Sequence, residues 1–91
     1  MKEVIHVRNE IGDCVIYTDE HRVDHKALVT DVHGEACVNL VYVTSDKSKY
    51  DSYGRQIERR SSCCRYSDTF KFGNCFREVG VEAVFSEPAR P

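Results

Sequence analysis

The stretch Ala27–Thr44, ALVTDVHGEACVNLVYVT, decides the fold. Ala27–Val32 is apolar and rich in β-branched residues, His33-Gly34-Glu35 reads as a tight turn, and Ala36–Thr44 is apolar again. Two such runs around a short turn predict a β-hairpin. The second arm alternates in part. Cys37, Asn39, Val41 and Val43 fall on one face of the strand, and Val38, Leu40 and Tyr42 on the other.

Working outward, Cys14–Thr18 (CVIYT) predicts a strand entered through the turn Asn9–Asp13 (NEIGD), with Lys2–Arg8 as an earlier strand. Asp19–Lys26 (DEHRVDHK) reads as an exposed polar loop, and Ser45–Gly54 (SDKSKYDSYG) as a projecting one. Arg55–Arg65 begins as a strand, because Gln56 and Glu58 alternate with Ile57. Tyr66–Gly73 reads as a turn, Asn74–Val79 (NCFREV) as a last strand, and Val81–Phe85 as a short strand or one turn of helix. Long helical periodicity and internal repeats are absent. A flat sheet of five or six short strands would expose long unpaired edges. The expected fold is therefore all-β, a small, partly open barrel. It forms one domain over residues 1–85, with residues 86–91 as a C-terminal tail.

A chain of 91 residues supports one thin core, and homo-oligomerisation is a natural way to reinforce it. No apolar run approaches the roughly 18 residues of a membrane helix. The start, MKEVIHVRNE, lacks the apolar stretch of a secretory signal, so a cytoplasmic protein is expected. Net charge is −2, which disfavours a general nucleic-acid coat. Residues 1–47 carry 5 basic and 9 acidic side chains, against 8 and 6 in residues 48–91. A basic strip of Arg55, Arg59, Arg60 and Arg65 stands in the second half.

The five cysteines are odd in number and irregularly spaced, which argues against a disulfide framework and for reduced thiols. Cys14 and Cys37 lie within apolar runs and are expected in the core. Cys63 and Cys64 are adjacent, so in a strand one faces inward and the other outward. His21 and His25 are four apart, but no Cys-x-x-Cys completes a zinc site, and no metal or cofactor is expected. No catalytic elbow surrounds any cysteine and no glycine-rich phosphate loop exists, so the chain reads as a binder rather than an enzyme.

The most suggestive group is Tyr50, Tyr53, Gly54, Arg55 and Gln56. Tyrosine offers a stacking face, arginine a forked donor for phosphate, and glutamine an amide edge. Arg59, four beyond Arg55, would share its strand face. Together with Tyr17, His25 and Arg77 these residues are expected to line an aromatic and basic pocket suited to a nucleotide-like small molecule. The alternative is an aromatic groove for a host protein, built from Tyr17, Tyr42, Tyr50 and Tyr53. A weaker one is nucleic acid on the basic strip.

The segments IGDCVIY (11–17), ALVTDVHG (27–34) and VNLVYV (38–43) resemble an SH3-like barrel of the Tudor or KOW type. HKALVTDVHG (25–34), CVNLVYV (37–43) and DSYGRQIE (51–58) are similar to small proteins encoded by bacteriophages and prophages. That resemblance implies an accessory protein made inside an infected cell, acting in the host cytoplasm and bringing no established activity. The expectation is a phage-type binder that sequesters a nucleotide-derived signal of host antiviral defence, or one that docks on a host protein.

Overall fold

The structure, a computed structural model, describes residues 9–67 and 73–81. The strand expected at Lys2–Arg8, the middle of the turn at Tyr66–Gly73, the element expected beyond Val81 and the tail lie outside the described residues.

Among the described residues seven strands form: β1 (Cys14–Thr18), β2 (Asp24–Val32), β3 (Cys37–Val43), β4 (Tyr50–Asp51), β5 (Gly54–Arg55), β6 (Ile57–Arg65) and β7 (Cys75–Glu78). Five of them make a closed barrel in the order β1-β2-β3-β6-β7, with β7 returning to pair with β1. The chain is all-β and its small barrel is as expected, with closure carried to completion. Among these strands only β6 and β7 pair in parallel. β4 and β5 form a separate ribbon at the tip of the β3–β6 connection.

Period-2 alternation builds the interior. Val15 and Tyr17 of β1, Ala27 and Val29 of β2, Val38, Leu40 and Tyr42 of β3, Cys63 of β6 and Phe76 of β7 converge in one core. Burying a side chain of this size contributes about 1.5–3 kcal/mol each. The β3 split read from the sequence is the observed one. The cysteine expectation fails, because Cys14 is exposed and Cys37 half-buried. Each sits one residue out of phase with a core valine, Val15 or Val38, so each faces outward. Of the adjacent pair, Cys63 is buried and Cys64 half-buried.

The polar segment after β1 is shorter than expected. Asp19 Oδ1 accepts the amides of His21 and Val23 at 2.8 and 3.0 Å, which folds Asp19–Val23 into a compact turn. β2 then starts at Asp24, and Asp24, His25 and Lys26 pair with Thr18, Tyr17 and Ile16. Across the loop, Gly73 packs its α-carbon against this turn at φ +115°. A Cβ there would meet the Asp19 carbonyl oxygen at 2.5 Å.

Two bulges bend the sheet enough to close it. Both flank Asn39, one at Val29/Asp31 on β2 and one where Val38 and Leu40 face Cys63 and Arg60. Asn39 Oδ1 accepts the Ser62 amide at 2.9 Å and lies 3.0 Å from His33 Nε2. Ser62 adopts φ 54°, the left-handed region, to present that amide. At the seam, Arg65 on β6 donates to the Glu78 carboxylate on β7 and to the Asn9 side-chain carbonyl, and its guanidinium lies over the Phe76 ring.

Candidate functional site

An apolar surface lies on the outside of the barrel. In register, Cys14 pairs with Leu28, Leu28 with Val41, and Val41 with Arg59. One step along, Ile16 pairs with Lys26 and Val43 with Ile57. All these residues are out of phase with the core, so they point outward. They form a shallow groove whose lining includes Cys14, Ile16, Lys26, Leu28, Val43 and Ile57, together with Val79. Leu28 is 47% exposed, Val43 55% and Ile57 54%. A continuous apolar patch over four strands differs from scattered exposed leucines and valines, which need no explanation.

The groove is electrostatically one-sided. Lys26 lines it, and among the described residues no carboxylate does. Arg59 continues the Leu28–Val41 row and lines the adjoining hollow beside Thr30 and Asn39. Among the described residues neither Lys26 nor Arg59 makes an ion pair.

The tyrosine and arginine group expected from the sequence is only partly assembled. Tyr50 pairs with Arg55 and Asp51 with Gly54 in the β4–β5 ribbon, whose turn is held by the Tyr53 amide donating to Asp51 Oδ1 at 2.8 Å. Tyr53, Arg55 and Gln56 line a shallow hollow with Asp51 and Ile57, and Tyr53 is 98% exposed. Arg55 Nη1 donates to the Thr44 carbonyl at 3.1 Å, and the Gln56 backbone bonds to Thr44 and Lys49. Gly54 holds the ribbon's corner at φ +108°.

The other expected members are engaged elsewhere. Tyr17 is 1% exposed, in the core, and its hydroxyl donates to Asn74 Oδ1 at 2.8 Å. His25 Nε2 lies 2.7 Å from Asp19 Oδ2, and its ring centroid is 4.3 Å from that of Tyr42. Arg77 donates to Thr18 Oγ1 at 3.0 Å and to Asp24 Oδ2 at 2.8 Å. Tyr17 and Tyr42 stack at 5.2 Å between centroids, with both residues in the core cluster. Here the aromatic side chains serve packing, because their positions in β1 and β3 share the phase of the core.

The basic strip divides in the same way. Arg55 and Arg59 are exposed. Arg60 points inward over the Tyr42 ring, 5.4 Å from its centroid, and Arg65 is committed to the seam. Strand alternation and the β6 bulge break what reads in sequence as one run of cations.

Titration follows from these partners. Burial pushes the Tyr17 phenol up to about 12 and the Cys63 thiol up to about 11. Burial also raises Tyr42 and Cys75. Burial opposes ionisation of Asp19, yet the hydrogen bond from His25 and the Val23 and His21 amides hold it below the usual carboxylate range. The Arg77 hydrogen bond, followed by burial acting against it and the Thr18 hydroxyl acting with it, leaves Asp24 low. Glu78 is held low by Arg65 and Asn9 against burial. Among the described residues no three histidine, cysteine or acidic side chains converge on a point that would suit a metal. No helix among them is long and apolar enough to cross a membrane.

Comparison with protein-family models, with curated proteins and with solved structures gives no match for this chain. The site therefore rests on its own geometry. Sequence reasoning missed Ile16, Leu28, Val41, Val43 and Ile57 as contact residues. A signal was present: β3 is apolar on both faces, which a strand with one solvated face does not need.

Proposed function

We propose that this chain is a non-enzymatic binding module that docks a protein partner on the outer face of β1, β2, β3 and β6. The observation that carries the reading is the apolar groove through Leu28, Val43 and Ile57, which among the described residues is lined by no carboxylate and is bordered by Lys26 and Arg59 without an ion pair. The partner that fits is a protein surface with an apolar ridge flanked by aspartate or glutamate. A second copy fits less well, since two-fold pairing of this face would bring Lys26 toward its own counterpart. The resemblance of residues 25–34, 37–43 and 51–58 to phage accessory proteins supports a host protein as that partner, met in the cytoplasm.

Affinity capture from bacterial lysate with wild type, Leu28→Glu and Tyr53→Ala tests the proposal. A stoichiometric protein retained by wild type and Tyr53→Ala but lost with Leu28→Glu is the expected result. Equal capture by all three proteins refutes the assignment of the face.

A second reading keeps the β4–β5 ribbon as a contact for a nucleotide-derived signal. The fully presented Tyr53 ring beside Arg55 and Gln56 favours it. Asp51 in the same hollow opposes an anionic ligand. Isothermal titration with cyclic and linear nucleotides tests it, and an absence of heat with all of them removes it.

A further inference from the structure

Three cysteines stand side by side across three strands. Cys37 on β3 is the register partner of Cys64 on β6, and Cys64 is in turn the parallel partner of Cys75 on β7. All are free thiols. The Cys37–Cys64 pairing is of the closer kind. The Arg65 amide donates to the Ala36 carbonyl at 2.9 Å, so residues 36 and 65 form the hydrogen-bonded position and 37 and 64 the adjacent non-hydrogen-bonded one. At such positions the α-carbons are about 4.5 Å apart with side chains on the same face, within the range a disulfide spans. Core residues Val38 and Cys63 are the next pair along, so Cys37 and Cys64 both face outward, and both are half-buried rather than sealed.

We propose that Cys37 and Cys64 form a reversible disulfide that responds to hydroperoxide and staples β3 to β6. One thiolate attacks a peroxide oxygen. The O–O bond breaks, the sulfur becomes a sulfenic acid, and the departing hydroxide leaves as water with a proton. The second sulfur then attacks the sulfenic sulfur. The S–S bond forms, the S–O bond breaks, and the hydroxyl leaves as a second water with the thiol proton. The two cysteines lose two electrons together, and hydrogen peroxide gains them.

The alternatives for Cys64 are weaker on geometry. Cys63 is its chain neighbour and points into the core. Cys75 is in register but buried, and burial raises both of these thiols, which lowers their thiolate fraction. Cys14 is exposed on β1 and pairs with Leu28, away from the other four. The staple closes a ring through the β4–β5 ribbon and fixes β3 against β6 at the end of the pairing opposite Val43 and Ile57.

Hydrogen peroxide treatment of the full chain, followed by intact mass and peptide mapping, is the test. The expected result is a loss of two hydrogens, a Cys37–Cys64 linked peptide, reversal by dithiothreitol, and a Tm at least about 5 °C above that of the reduced protein. Cys14→Ser should form the same Cys37–Cys64 linked peptide on oxidation, and Cys37→Ser should lose it. If Cys37→Ser fails to fold, peptide mapping of the wild type decides alone. Linkage of any other pair, cross-linked dimers through Cys14, or stepwise addition of oxygen with no disulfide overturns the proposal.

Discussion

Arg65 Nη1 lies 2.6 Å from Glu78 Oε2, while the Arg65 guanidinium carbon sits 4.9 Å above the Phe76 ring. One side chain therefore joins β6 to β7 at their parallel seam, covers a core aromatic and holds Asn9. Its Nε also donates to the Glu35 carbonyl at 3.0 Å. Both partners are about one-quarter exposed, so solvent weakens the ion pair without removing it. Glu78→Gln should lower stability by about 1–2 kcal/mol. Urea denaturation measures this, and a double-mutant cycle with Arg65→Met should give a coupling of the same sign.

Acid should weaken the fold through Asp19, Asp24 and Glu78. Each carboxyl sits below its ordinary value in the folded chain, so the unfolded chain binds protons more readily. Their contribution is complete above about pH 4.5 and is lost as pH falls through the lowered folded values. Thermal melts from neutral pH down to about pH 3 should show this decline, with a shallower acid limb in Asp19→Asn.

Alkali should act in the opposite direction through Tyr17. Its phenol is pushed up to about 12 by burial, so the unfolded chain ionises first. The contribution is full below about pH 10, the ordinary tyrosine value, and fades as pH rises through the folded one. Ultraviolet titration should show Tyr17 and Tyr42 ionising late, and Tyr17→Phe should remove one of these two late phenolates. That variant also leaves Asn74 Oδ1 without its donor and should cost about 1–2 kcal/mol.

Gly73→Ala should be the most damaging of the glycine substitutions. Its φ of +115° strains any Cβ, and that Cβ would strike backbone, the Asp19 carbonyl, rather than a side chain that can turn away. A loss of about 2 kcal/mol or more is expected. Gly34→Ala, at φ +136° but in open space, should cost less. Comparative denaturation of the two variants checks the order.

Leu28→Ser and Val43→Ser should leave stability within about 0.5 kcal/mol of wild type, because neither residue belongs to the core. Binding of a hydrophobic dye such as ANS to the native protein should fall in both. A large loss of stability in either would place the groove inside the folded architecture rather than on its surface.

The β2–β3 hairpin and the strand status of Cys14–Thr18 and Asn74–Val79 were legible because alternation, branched residues and turn residues act locally. The start of β2 was not. Asp24-His25-Lys26 is polar enough to read as loop, and it becomes strand because Asp19 folds the turn and β1 offers pairing partners. The candidate pocket was misjudged for a related reason. Residue type suggested that Tyr17, His25 and Arg77 were available, and phase and partners commit them to Asn74, Asp19 and Asp24.

By itself the sequence determined an all-β chain with alternating core positions, since period-2 placement of apolar side chains is a property of neighbouring residues. Tertiary structure alone decided which aromatic side chains are spent inside, which cations lie together, and which cysteines meet. Those outcomes depend on register between strands far apart in the chain. A bulge of one residue at Asn39 resets what faces what, and local composition carries no record of that offset.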